Sequence, residues 1–269
     1  MNKSYILIFF LFCVGVVFGE QNKVELLIKF PTRERSEKFF QYLDQYYKLL
    51  SGKHTYYFLI TCDSNDASMN NEKIKKRFES YENLKVIYGN STCKIHACNR
   101  DMEYAPSFDI VLIASDDMWP NTQNYDEIIV EAMQKNFPDL DGVLNFADGS
   151  SKGPCVLNTY PIIGRRFFDR YSYIYSPAYE SFFPDFELSV VSRLLEKELI
   201  LNIELLKHKS PGLTWGGPDD LYMRNLHPYS NDAKIFAARL AKAFGLEGLT
   251  KKQKRYLLFC EKKMKEAAS

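Results

Sequence analysis

The sequence predicts an α/β protein in which a mostly parallel central sheet is flanked by helices and followed by an irregular C-terminal half. Three observations carry that prediction. From Val24 to Phe146, short apolar runs alternate with amphipathic helical stretches, the order that builds a parallel sheet covered on both faces. The run Phe108–Ala114 ends in two adjacent carboxylates, Asp116 and Asp117. They lie at the C-terminal end of a strand, where open α/β sheets bind their ligands. After Phe146 the alternation gives way to a Gly/Ser/Asp loop and a stretch rich in Tyr and Phe.

The elements follow in order. Val24–Phe30 reads as the first strand, stopped by Pro31-Thr32-Arg33. From Glu34 to Leu50, apolar residues at Phe39, Phe40, Leu43, Tyr46, Tyr47 and Leu50 recur with the period of a helix. Tyr56–Thr61 is the second strand and ends in the acidic loop Cys62–Asp66. A charged helix over 71–82 leads to the strand Leu84–Tyr88, and Lys94–Ala105 reads as helix before the acidic strand. Helix 124–136 precedes the strand Gly142–Phe146. In the second half, a helix over 186–197 and an apolar strand over 199–206 are expected.

The N-terminus stands apart. Lys3, an apolar run from Tyr5 to Phe18 and the junction Gly19-Glu20 describe a secretory signal peptide cleaved after Gly19. The run is shorter than the roughly 20 residues that span a bilayer comfortably, so a short signal-anchor is the alternative. Either reading exports the rest of the chain into a lumen or the exterior, with membrane association through the N-terminus in the anchored case. A cytoplasmic location follows only if the leader is not used. Cys13 lies in the leader, which leaves Cys62, Cys93, Cys98, Cys155 and Cys260. No Cys-x-x-Cys pair points to structural zinc, and most of these read as core thiols, with room for one disulfide.

The net charge is +1, so no broad attraction to nucleic acid is expected. Lys251–Arg255 reads as the solvated face of a C-terminal helix. There is no Gly-x-Gly-x-x-Gly turn after the first strand and no Gly-x-x-x-x-Gly-Lys loop. Those absences disfavour a dinucleotide-binding dehydrogenase and a phosphate-loop NTPase. Paired carboxylates at a strand end suit a hard divalent cation that carries the phosphates of a nucleotide; capping the next helix is their bland alternative.

Other residues add to the pair. Asp63, ending the second strand, can accept from the N–H edge of a uracil or other base; a turn-forming Asp is the alternative. Lys94 and Asn99 open a helix just before the acidic strand, where they can reach a diphosphate or sugar or simply face solvent. Asp185 and Glu187 stand at the entrance of a helix, where a carboxylate stays ionised and can act as a base. Asp185 can equally be the N-cap. His208, after an apolar strand, offers an imidazole to the same metal.

Taken together, Pro31-Thr-Arg33, Asp63, Lys94–Asn99, Ser115-Asp-Asp-Met118, Pro184–Leu188 and His208 resemble inverting glycosyltransferases of family 2 type, with the GT-A fold. The likeness runs from Val24 to about Tyr222. It implies that Asp117 ligates Mn²⁺ or Mg²⁺, with His208 as a later ligand that favours Mn²⁺, and that Asp116 lies nearer the ribose. It implies Asp185 as general base, with Pro184 standing where an acidic residue is usual, and Glu187 is taken with it as a substrate-binding residue. Thr32 and Arg33 would line the nucleotide pocket, Asp63 the base, and Lys94 or Arg100 the diphosphate. Trp119 and Trp215 are candidate platforms for sugar faces, and Asp219–Tyr222 a loop closing over the donor.

The implied reaction moves a sugar from a nucleoside-diphosphate sugar to a hydroxyl of a glycan, lipid or protein. Residues 20–147 would form the nucleotide half, 148–230 the acceptor and metal half, and 231–269 C-terminal helices, all within one domain. A non-catalytic nucleotide-sugar or carbohydrate-binding protein on the same scaffold is the alternative. A nucleotidyltransferase fits less well, because Pro31–Ser36 contains no glycine.

Overall fold

The computed structural model describes residues 23–149, 157–209 and 219–268, with side chains as far as Lys263. Leader residues 1–19, Cys155 and Trp215 lie outside the described residues.

A seven-stranded sheet forms the centre, in the order β3-β2-β1-β4-β7-β6-β8. Its strands are β1 (Glu25–Thr32), β2 (Thr55–Asp63), β3 (Leu84–Gly89), β4 (Ile110–Ile113), β6 (Val143–Phe146), β7 (Ile162–Gly164) and β8 (Glu198–Leu201). β7 pairs antiparallel with both β4 and β6, while the other pairings are parallel. Every strand but β7 therefore runs the same way, as the alternating sequence predicts.

Strand periodicity divides the core. In β1, Leu26, Ile28 and Phe30 face one cluster and Leu27 the other; in β4, Ile110 and Leu112 separate likewise from Val111 and Ile113. Helices α1 (Ser36–Lys48) and α4 (Tyr125–Asn136) give Phe39, Phe40, Leu43, Tyr46, Ile129 and Met133 to the first cluster. Helices α6 (Pro184–Leu194), α8 (Tyr229–Ala241) and α9 (Lys251–Ala268) cover the opposite face with Leu188, Val190, Phe236, Leu240 and Cys260. Because α-helices and strands bury residues at different spacings, the α1 side of the core follows the helical period of Phe39, Phe40, Leu43 and Tyr46.

The register brings three strand ends to one edge. Thr32 pairs with Cys62, Asp63 with Gly89, and Ile113 with Lys29. A separate two-stranded sheet joins β5 (Met118–Pro120) antiparallel to β9 (Leu206–His208), with Met118 opposite His208.

Four expectations need correction. The helix expected over 94–105 stops at Asn99 as α3 (Lys94–Asn99), because Arg100 turns extended and Asp101 adopts φ 73°. Both side chains are drawn into a buried polar network, which fixes the break. The expected strand 199–206 is two strands: β8 joins the main sheet, and β9 leaves it for β5. The N-cap of α6 is Phe183 at φ 71°, not Asp185, and Pro184 takes the first helical position, which needs no N–H. Asp219–Tyr222 is not a loop: Asp219 caps α7 (Asp220–Leu226) by accepting from the Tyr222 N–H at 2.8 Å.

Candidate active site

The acidic pair leaves β4 at the C-terminal edge of the sheet, and its two members have opposite environments. Asp117 is fixed from three sides. Tyr160 donates its hydroxyl to Oδ1 at 2.7 Å, and His208 Nε2 lies 3.7 Å from Oδ2. The Lys209 N–H donates to the Asp117 carbonyl at 2.7 Å. Burial disfavours the Asp117 carboxylate, but His208, Ser115 and Tyr160 outweigh it and hold the group far below the usual carboxylate range. Asp116 is buried to a greater extent, and burial pushes it up to about 6, against the pull of Arg35. Arg35 Nη1 meets Asp116 Oδ1 at 2.8 Å.

β5·β9 pairing explains how His208 arrives. Strand β9 sets His208 across from Met118, one residue beyond Asp117. The His208 N–H donates to the Asp148 carbonyl at 2.8 Å, and Asp148 Oδ2 stands 3.8 Å from Nδ1. Asp148 therefore stands on the Nδ1 side of the ring and Asp117 on the Nε2 side, the order in which an outer carboxylate faces a metal-binding imidazole.

Among the described residues, no cluster of three or more His, Cys, Asp or Glu is arranged to hold a metal ion. Asp117 and His208 nevertheless fit as a pair. Two donors each about 2.1 Å from one cation stand between about 3 and 4.2 Å apart, and Oδ2 to Nε2 is 3.7 Å. A cation that keeps substrate phosphate oxygens in its shell needs few protein ligands.

Asp63 lies at the neighbouring strand end. The Ser91 N–H donates to Oδ1 at 3.0 Å, Arg33 Nη1 binds Oδ2, and Arg100 Nη2 is 3.7 Å from Oδ1. Burial opposes ionisation, and the Ser91 and Arg33 bonds still bring Asp63 below its ordinary value. Arg100 is wedged there by donating to the Cys62 carbonyl at 2.6 Å and to Ser91 Oγ at 2.9 Å. Gly89 makes room for it, since a Cβ there would sit 2.4 Å from Arg100 Nη1. Behind this layer, buried Lys29 binds Thr61 and donates to the Arg100 carbonyl at 2.7 Å. Burial, opposed by Asp101, lowers Lys29 to about 8.

Asp185 sits in the first turn of α6 and accepts from the Phe186 N–H at 2.9 Å. Burial raises its carboxyl above the ordinary value, with Lys94 acting against the rise. The Tyr175 phenol lies within electrostatic reach of both Asp185 and Asp117. Thr32 is also at this edge, buried, and its Oγ1 has no partner.

Two expected site residues are engaged elsewhere. Asn99 donates to the Tyr175 carbonyl at 2.6 Å and accepts from the Ile174 and Tyr175 N–H groups, each at 3.0 Å. Both oxygens of Glu187 accept from Arg239, at 2.6 and 2.7 Å, and Tyr179 adds a bond at 2.7 Å. Asn99 thereby anchors the Tyr-rich segment, and Glu187 ties α6 to α8. Trp119 packs edge-on against Tyr42 and carries Lys209 4.1 Å above its ring. Arg35, Tyr160 and Asp148 went unnoticed in the sequence, where a lone Arg before a helix and single residues in loops carry no periodic signal.

No family model matches this sequence, and no curated protein sequence matches it either. Solved structures do match. The mannosyltransferase PcManGT from Pyrobaculum calidifontis, in complex with GDP-Man and Mn²⁺, superposes with a TM-score of 0.64 at 12% identity, over 90% of this chain and 70% of that one. GalNAc-T7, bound to UDP, GalNAc and Mn²⁺, gives a TM-score of 0.59 at 12% identity, over 83% of this chain and 52% of its own. A 1–349 fragment of S. aureus TarS gives 0.53 at 15% identity, over 83% and 72% of the two chains. This chain has the GT-A glycosyltransferase fold. At these identities the likeness establishes the fold, and function belongs to the site. In the GT-A fold of this chain, Asp116, Asp117 and His208 stand together beyond the end of β4, with Arg35 binding Asp116, and Asp185 lies in the first turn of α6.

Proposed function

We propose that this protein is a metal-dependent glycosyltransferase that moves a sugar from a nucleoside-diphosphate sugar to an acceptor hydroxyl, with inversion. The observation that carries the reading is the Asp117–His208 pair at the C-terminal sheet edge; Asp185, in the first turn of α6, is the candidate base. The ligands of the GT-A neighbours support it: GDP-Man with Mn²⁺ in one, UDP with GalNAc and Mn²⁺ in another, and UDP-GlcNAc in TarS.

Asp117 and His208 would hold Mn²⁺ or Mg²⁺, with Asp148 and Tyr160 orienting them. When bound, the cation neutralises charge on the departing diphosphate as a Lewis acid. Asp63 accepts the base N–H, braced by Arg33, Ser91 and Arg100. The unpartnered Thr32 hydroxyl offers a donor to the nucleotide. Asp185 takes the proton of the acceptor hydroxyl while that oxygen bonds the anomeric carbon. The bond from that carbon to the diphosphate oxygen breaks on the opposite side, and the nucleoside diphosphate leaves with the electron pair.

Burial that raises the affinity of Asp185 for a proton suits a base that must hold one. Lys94, exposed and close enough to act on Asp185, opposes that rise. The exported or luminal location implied by the leader is part of the same proposal, because a lumen supplied with nucleotide sugars provides the donor.

The test is release of nucleoside diphosphate from a panel of nucleotide sugars, with and without Mn²⁺, for the wild type, Asp117→Ala and Asp185→Asn. Metal-dependent turnover that both substitutions abolish is the expected result. Donor binding without turnover, unchanged by Asp185→Asn, would instead make the chain a nucleotide-sugar-binding protein.

A further inference from the structure

The C-terminal helix α9 buries one side and exposes an unusual other. Its inner face is anchored: Cys260 is buried, Tyr256 and Leu257 pack on the second core cluster, and Gln253 donates to the Leu194 carbonyl at 2.6 Å. An amphipathic helix docked this way presents polar residues outward. Here Leu258 and Phe259 project outward instead, 64% and 55% exposed. They are the two most exposed of the large hydrophobic residues among the described side chains.

Their surroundings are cationic. Within one turn on the same outer face lie Lys254, Arg255, Lys262 and Lys263, all exposed, and Lys251 and Lys252 extend the row. Lys263 Nζ stands 6.0 Å above the Phe259 ring. Between Lys251 and Lys263 the one acid is Glu261, part-buried, and Glu266 follows later in the helix sequence. The chain as a whole carries a net charge of +1, so this density of Lys and Arg is local and not a general property of the surface.

We propose that α9 docks this chain on an anionic lipid surface, with Leu258 and Phe259 inserted among the acyl chains and the surrounding Lys and Arg on the headgroups. Adjacent apolar side chains ringed by long cationic ones are the pattern of an interfacial helix. The Lys and Arg stems can lie along the apolar layer while their charges stay with the phosphates. A second copy of the chain fits less well, because a two-fold contact through this face would set like charges against each other. Among the described residues no helix is long and apolar enough to cross a membrane, so the contact is one of lying on the surface. The proposal does not depend on the catalytic reading.

The test is co-flotation of the full chain with vesicles of phosphatidylcholine alone or of equimolar phosphatidylcholine and phosphatidylglycerol. The leader contributes equally to wild type and variants, so differences between them report on α9. The wild type is expected to favour the anionic vesicles and to lose that preference in high salt. Leu258→Ser/Phe259→Ser and Lys262→Glu/Lys263→Glu are each expected to lower partition to anionic vesicles by about tenfold or more. Both pairs are exposed, and circular dichroism confirms that the fold is retained. Equal partition of wild type and both variants would overturn the proposal. So would a wild-type dimer that the apolar substitutions dissociate, with no preference for anionic vesicles.

Discussion

His208 Nε2 stands 3.7 Å from Asp117 Oδ2, although 91 positions separate the two in sequence. The two-stranded β5·β9 sheet closes that distance by placing His208 beside Met118. The proposed ligand pair is therefore built by strand pairing, with Tyr160 bonded to Asp117 and Asp148 on the far side of the imidazole. Removing the Tyr160 hydroxyl leaves both ligands in place and loosens one of them. Tyr160→Phe is expected to weaken Mn²⁺ about 10–100-fold, with turnover near that of the wild type at saturating metal. Titrating activity against Mn²⁺ checks this. A fall in maximal turnover at unchanged metal affinity would place the hydroxyl in the chemistry instead.

Asp185 gives a prediction in pH. Its folded carboxyl titrates above its ordinary value, so folding favours the protonated form. Any stability this confers is full at pH values below the unfolded value and is lost as pH rises through the folded one. Under the proposed role as general base, activity runs the other way, since a base works only when ionised. Asp185→Asn is therefore expected to raise the melting temperature at neutral pH and to lower turnover by about 10²–10⁴-fold. Lys94→Met removes the charge that opposes the rise and should move the acidic limb of the pH–rate profile upward. Thermal melts and rate profiles of both variants decide the matter; an unmoved limb in Lys94→Met would remove Lys94 from this role.

Glu187 tests stability apart from chemistry. It is buried and receives two bonds from Arg239 and one from Tyr179. Arg239→Met leaves that carboxylate inside without its cation, which in buried pairs costs about 3–5 kcal/mol. Arg239 is itself partly exposed, so a loss of about 2–3 kcal/mol is the expected value. Denaturant unfolding measures it. Turnover well below the melting temperature should stay within about twofold, a split that direct acceptor binding by Glu187 would not produce.

The sheet and its acidic edge were legible because they rest on local periods. Alternation in Leu26–Phe30 and in Ile110–Ile113, and helical spacing from Phe39 to Tyr46, each identify an element without outside help. Breaks and partnerships were less legible, because they depend on residues remote in sequence. Nothing near Asn99 announces that Arg100 will reach Cys62 and Asp63, yet that reach ends α3. The apolar run 199–206 looks continuous, but its two ends answer to different partners, β6 and β5. Arg35 belongs to the same class, since its partners Asp116 and Asp219 lie 81 and 184 positions away.

That last contact makes a separate prediction. Arg35 binds Asp219 through Nε and Nη2, both at 2.7 Å, while Arg224 on the same helix reaches Glu34 at 2.6 Å. Helix α7 has no fully buried residue, so these ion pairs help to seat it beside the end of β1. Asp219→Asn separates the two jobs of that side chain, because Asn remains a good N-cap but gives up the ion pair. An exposed pair contributes about 0.2–1 kcal/mol, so global unfolding should change by no more than that. Local opening of α7 should increase by the corresponding factor, about 1.4- to 5-fold, since local openings draw on the weakest contacts. Limited proteolysis within Asp220–Leu226 reads it directly. Unchanged cleavage would mean that α7 is held by something other than Arg35.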